Sequence, residues 1–328
     1  TFINPDGYAL FAANLAVGQS MLCRNGFHAH GEVRLNAAHI GGALDCTGGT
    51  FTRPFGYALN AYGLTVENMH CTNGFHAQGD VSLFGADIGG VLAFDRGIFI
   101  SPNRAAPLLE GTVDLTHARV GLLIDTEESW PAALRLDGLV YDSIRAIPEV
   151  TVEQRLGWLT RDPDGCSPQK YEQLAAFYRR AGHEQEARQV AVAKQRARRQ
   201  TLPRPARLWS RLLEVTVGYG YQPWRALWWL AGFVAVGALL FAHAYPQALT
   251  ATAPAGQLPV FQPVVYALDV LLPIVDLRQQ DFWIPNAARP WGWAYLGWFW
   301  LSIAAGWVLT TAVAAAVAGL LKTDSRLG

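Results

Sequence analysis

The sequence predicts a β-solenoid (a parallel β-helix with coils of about 24 residues), followed by a helical hairpin and a two-helix transmembrane segment. Three observations predict it. A segment beginning at Gly7 recurs from Gly56, and each copy repeats again within itself. Apolar residues alternate at every second position through these repeats, then change to helical spacing after Val152. Two long, nearly uncharged apolar runs close the chain, and most of its 12 Trp follow Trp209. Expected domains are 1–146 (β-helix), 147–222 (helical cap and basic juxtamembrane segment) and 223–328 (two spans with a short returning helix at 261–277). The chain starts without Met or a signal-peptide pattern, as expected of a fragment.

The repeat is read by setting "GYALFAANLAVGQSMLCRNGFHAHGEVRLNAAHIGGALDCTGGTF" above "GYALNAYGLTVENMHCTNGFHAQGDVSLFGADIGGVLAFDRGIF", with one gap. Within the first copy, Leu10, Ala13, Leu15 and Val17 recur as Leu35, Ala38, Ile40 and Gly42. Ala38, Ile40, Gly42, Leu44 and Cys46 are expected to point inward, as are Ala86, Ile88, Gly90, Leu92 and Phe94. The same pattern returns as Ala118, Val120, Leu122 and Ile124, and "LRLDGLVYD" is a final partial coil. Cys23, Cys46 and Cys71 lack the close pairing of a zinc or redox motif. They fall on equivalent rungs with Phe94 next, which predicts an inward ladder of small apolar side chains. His28 and His76 both sit in "NGFHA"; they read as corner residues copied by duplication, the alternative being stacked imidazoles sharing a ligand.

Beyond Val152, Tyr171, Leu174, Ala175 and Tyr178 share one helix face, and Ala187, Val190 and Ala191 lie on a second helix. Gly182 divides the two, and Ser167 before Pro168 reads as an N-cap. The hairpin is expected to close one end of the solenoid, since a stacked array needs a cap. Cys166 stands alone in the preceding loop.

The stretches "LDGLVYDSI", "SPQKYEQLAAFYRRAGHEQEARQV", "GYGYQPWRAL" and "GWVLTTAVAAAVAGLLK" resemble a group of largely uncharacterised bacterial proteins, common in actinobacteria. That group combines degenerate β-helix repeats with a C-terminal pair of membrane segments, and some members are labelled membrane-associated oxidoreductases. The resemblance implies this architecture over nearly the whole chain, and it carries over no catalytic residue. The residues themselves present no G-x-G-x-x-G after a strand, no C-x-x-C and no haem or metal spacing, so no catalytic residue, cofactor or metal is expected.

Trp224–Tyr245 and Trp291–Leu321 each exceed the roughly 20 residues a spanning helix needs. Lys and Arg concentrate between Arg179 and Arg211 and again after the second run, which predicts both termini in the cytoplasm of a bacterial inner membrane and residues 246–290 outside. Arg196, Arg198, Arg199, Arg204, Arg207 and Arg211 are expected to meet anionic headgroups, and nucleic acid is not an expected partner. A cytosolic solenoid suits reduced cysteines.

"TVGYG", Thr216–Gly220, matches the letters of a potassium-channel filter. It precedes the first span, where a filter lies between two spans, so it is expected to be a hinge. The channel-like feature is "FQPVVYALDVLLPIVDLRQQDFWIP", an apolar segment too short to cross a bilayer and stopped by Pro273. As a returning pore loop it would place Asp269 and Asp276 on an ion path; as an interfacial helix it would leave both in water. Three functions follow: a non-enzymatic membrane scaffold whose solenoid recruits an unknown protein partner; a homo-oligomeric two-span cation channel regulated by the solenoid; and the oxidoreductase that the resemblance implies.

Overall fold

Strands run to Ala146, and helices with one short two-stranded ribbon follow, in the computed structural model, which describes residues 1–100, 112–165, 167–199, 202–218, 224–254 and 258–324. The chain divides into two units, Thr1–Arg198 and Arg199–Gly328. Cys166, and Tyr219 and Gly220 of the filter-like stretch, lie outside the described residues.

The first unit is a β-solenoid. Its strands are β1 (Phe2–Phe11), β2 (Ala16–Val17), β3 (Met21–Leu22), β4 (His28–Arg34), β5 (His39–Asp45), β6 (Thr50–Asn60) and β7 (Thr65–His70). They continue as β8 (His76–Ser82), β9 (Asp87–Ala93), β10 (Ile98–Ile100), β11 (Thr112–Asp114), β12 (Arg119–Asp125), β13 (Ala133–Arg135) and β14 (Val140–Ala146). One parallel sheet runs β1-β4-β6-β8-β11-β13 and the other β14-β12-β9-β7-β5-β2, so the chain stacks six coils deep. Alternation aims one side chain in two at the space between the sheets: Ile40, Leu44, Val66, Met69, Ile88 and Leu92 are all buried there. Phe27, Phe51, Phe75 and Phe99 add an aromatic ladder with centroids 5.2–5.6 Å apart.

Two expectations need correction, and the alternative of stacked imidazoles sharing a ligand falls away. Val17 pairs with Ile40 and Leu10 with Val33, so the internal alignment of the first coil slips by two residues. A two-residue slip keeps every side chain on its face, which is why the alternation concealed it. In β12 the inward residues after Val120 are Leu123 and Asp125, whereas Leu122 and Ile124 are only half-buried. The earlier strand β9 carries the pair Gly89–Gly90 where β12 has Gly121 alone; the register shifts there, and the lost residue reverses the alternation beyond it. His28 and His76 both pair with Thr50 of the intervening β6. They are therefore two strand spacings apart, about 10 Å, too far to share a small ligand.

The open end of the last coil is covered by α1 (Val152–Thr160), α2 (Pro168–Arg180) and the start of α3 (Glu184–Arg199). A strand edge leaves carbonyls without partners, and α2 supplies the donors. Gln169 donates to the Leu139 carbonyl at 2.9 Å, Gln173 to Tyr141 at 2.6 Å and Arg180 to Asp142 at 2.9 Å. Tyr171, Leu174, Ala175, Ala187, Val190 and Ala191 are buried, as their spacing predicts. Gly182 (φ +80°) ends α2: it donates to the Arg179 carbonyl and His183 to Tyr178, the paired bonds of a Schellman stop. Ser167 occupies the N-cap position with Pro168 behind it, but its side chain makes no capping bond.

The second unit begins with α4 (Arg204–Val217), in which Thr216 and Val217 are helical. It continues through α5 (Trp224–Ala244), β15 (Leu249–Ala251), α6 (Pro263–Leu271), β16 (Trp283–Pro285) and α7 (Gly292–Asp324). Among the described residues, one helix, α5, is long and apolar enough to cross a membrane: 21 residues, mean hydropathy 1.8, with 17% of that stretch buried. So little burial sets it apart from the core helix of a soluble protein. α7 is longer still, 33 residues, but its first half is diluted by Trp293, Trp298, Trp300 and Trp307.

Candidate functional site

The returning segment is built between α5 and α7. β15 and β16 pair antiparallel beside the end of α5 and the start of α7, so the chain between them leaves and rejoins the same level. From there α6 descends. Near its middle Ala267 meets Gly237 of α5, and at its end the Leu271 carbonyl meets Gly306 of α7. A Cβ on Gly306 would stand 1.7 Å from that oxygen, so only glycine admits the contact. Fourteen residues separate Gly292 from Gly306, which places the foot of α6 about 20 Å along α7 from its start.

The two aspartates of this segment have different surroundings. Asp269 is 2% exposed, and its carboxylate accepts backbone N–H bonds from Leu277 (2.7 Å), Gln279 (2.7 Å) and Gln280 (2.8 Å). Three charge-assisted bonds fold the loop after Pro273 back onto α6 and satisfy the buried charge. Gln279, itself buried, reinforces the turn by accepting from the Gln262 N–H. Tyr266 donates to the Trp283 carbonyl at 2.8 Å, tying α6 to the returning strand. Asp276 is exposed at the tip and, among the described residues, accepts from the Arg278 N–H at 2.9 Å. Its exposed companions are Ile274 and Val275. A cavity of about 250 Å³ lies between this tip, Asp269, Ile303 and Trp307.

The basic residues singled out by sequence fall on two helices. Arg196 and Arg198 are exposed on α3, and Arg199 is ion-paired with Glu214. Arg204, Arg207 and Arg211 are exposed at i, i+3 and i+7 on α4, one face of that helix.

Sequence reasoning missed the chemistry at the capped end of the solenoid. The reversed alternation in β12 turns the Asp125 carboxylate inward, on the rung occupied by Cys23, Cys46, Cys71 and Phe94 in earlier coils. Arg155 of α1 meets it bidentately, at 2.7 and 3.0 Å, with both side chains 3% exposed. The Trp130 ring nitrogen donates to the same carboxylate at 3.0 Å, and the guanidinium lies 5.1 and 5.3 Å from the rings of Trp130 and Trp158. The single Gly121 in place of a Gly pair was the available signal.

Beside this pair opens a cavity of about 600 Å³, formed by β14, α1 and the α2–α3 turn. Its wall includes Glu153, Arg155, Phe177, Tyr178, Glu186 and Gln189. Thr151 and Gln154 close a capping box at the start of α1, which fixes Glu153 at the rim. Burial pushes the Tyr178 phenol up; Arg155 opposes this, and the Glu186 and Glu153 carboxylates add to it. The side-chain oxygen of Gln189 is buried without a hydrogen-bond partner.

Comparison of the chain with family models, curated proteins and solved structures returned no match. Function therefore rests on these two sites.

Proposed function

We propose that several copies of this chain assemble a cation-conducting pore in a bacterial inner membrane. α5 and α7 are its two spans, the segment from α6 to β16 its pore loop, and the solenoid its cytoplasmic domain. The observation that carries the reading is the loop Leu272–Asp276, irregular backbone held about 20 Å along α7 with Ile274, Val275 and Asp276 exposed. Irregular backbone at membrane depth is stable only when buried in protein or lining water. In one copy this loop is uncovered, so symmetric copies are needed to enclose it. Asp269, saturated by three backbone donors, holds the loop; Asp276 is the carboxylate free to face the axis and attract cations. The exposed arginines of α4 suit the cytoplasmic headgroup layer. The reading is tested by currents across planar bilayers. Wild-type protein is expected to pass cations over anions, and Asp276→Asn to lower conductance or selectivity while leaving oligomer size unchanged. Wild-type protein that forms oligomers yet passes no current overturns it.

A second reading, a membrane-anchored binding module acting through the solenoid, is favoured by the 600 Å³ cavity at its capped end. Pull-down of a solenoid partner from a membrane that carries no current would support it alone.

A further inference from the structure

We infer that the cavity at the capped end of the solenoid is a binding site for an organic cation, an amine or guanidinium carrying an apolar body. Its volume, about 600 Å³, lies within the range of small-molecule sites. One wall is aromatic, Phe177 and half-buried Tyr178 from α2. Two carboxylates share the cavity wall with Tyr178 and come from different helices, Glu153 from α1 and Glu186 from α3. The one buried cation of the wall, Arg155, is already neutralised by Asp125. Arg145 of the wall is exposed and forms no ion pair with Glu149, Glu153 or Glu186, the three glutamates of the lining, and His183 approaches Glu186 only to 3.9 Å. The unpaired charge left facing the cavity is thus negative, beside a ring whose face attracts cations. The buried oxygen of Gln189, an acceptor without a donor, offers the N–H of such a ligand a further bond. Sites built this way recognise amines through carboxylates and aromatic faces together. Anions are excluded by the same charges.

The test is calorimetric titration of the full chain in neutral detergent with agmatine and phenethylamine, and with citrate and benzamide as anionic and neutral probes. The amines are expected to bind saturably at up to about 10 mM, where even a millimolar site fills. Glu153→Gln and Glu186→Gln should each weaken binding about tenfold. Tyr178→Phe, which keeps the ring, should retain binding that Tyr178→Ala loses. Glu153 is exposed and Glu186 half-buried, so an unchanged melting temperature separates lost binding from lost fold. No saturable amine binding, preference for citrate, or indifference to both glutamate substitutions overturns the assignment. Because the readout is heat and not current, its failure leaves the pore reading to stand or fall by itself.

Discussion

Asp125 and Arg155 illustrate how one deleted residue creates chemistry. The ladder Cys23–Cys46–Cys71–Phe94 is apolar, and at Asp125 the same rung becomes a carboxylate sealed by a bidentate guanidinium. Removing one partner strands the other charge in the core. Arg155→Met is therefore expected to destabilise the first unit by about 3–5 kcal/mol, and Asp125→Leu combined with it to recover much of the loss. Urea denaturation followed by tryptophan fluorescence checks both; an Arg155→Met protein as stable as wild type would contradict the structural role. The thiols above this pair were legible from period alone, because equivalent positions repeat. Hydrogen bonding to Cys46 and burial push the Cys23 thiol far above the ordinary range, so it stays protonated and unreactive. The orientation of Asp125 was not legible, because it depends on a local register shift that alternation counting passes over.

The polar face of α2 is a row of donors for the last strand edge, and Gln169, Gln173 and Arg180 each cover a carbonyl of β14 or its turn. Replacing all three by Ala should cost about 2–4 kcal/mol, at about 0.5–1.5 kcal/mol per lost bond. It should also uncover an edge that promotes self-association, read by sedimentation velocity. In the second unit the decisive contact is α6 on α7 at Gly306. Gly306→Ala is expected to force the two apart and lower stability in detergent by about 1–3 kcal/mol. Gly297→Ala on the same helix meets nothing within 4 Å and should be neutral or stabilising. Comparable melting curves for the two variants would contradict the depth assigned to α6. The existence of a short apolar helix stopped by Pro273 was readable in the sequence, and so were its two aspartates. Their different surroundings were not, since Asp269 meets its donors only once the loop 277–280 has folded back.

For the molecule as a whole, the sequence resolved a repeat, a cap and an apolar C-terminal half, because periodicity and composition report those directly. It left open whether α6 lies at a surface or descends between helices, because that turns on one small residue far away in the chain. The assembled pore is the central claim, and the native cysteines make it testable: Cys23, Cys46 and Cys71 are buried and give no background. In a Cys166→Ser protein reconstituted in lipid, Ile274→Cys at the loop tip and Trp300→Cys on the outer face of α7 are both exposed positions in a single copy. The most direct measurement is their reaction with a membrane-impermeant, water-soluble thiol reagent. The account predicts that the cysteine at 274 reacts from water, and that modification there blocks cation flux, whereas the one at 300 stays silent in lipid. Silence at 274, with reaction only toward a lipid-soluble maleimide, would place the loop against acyl chains and contradict the pore.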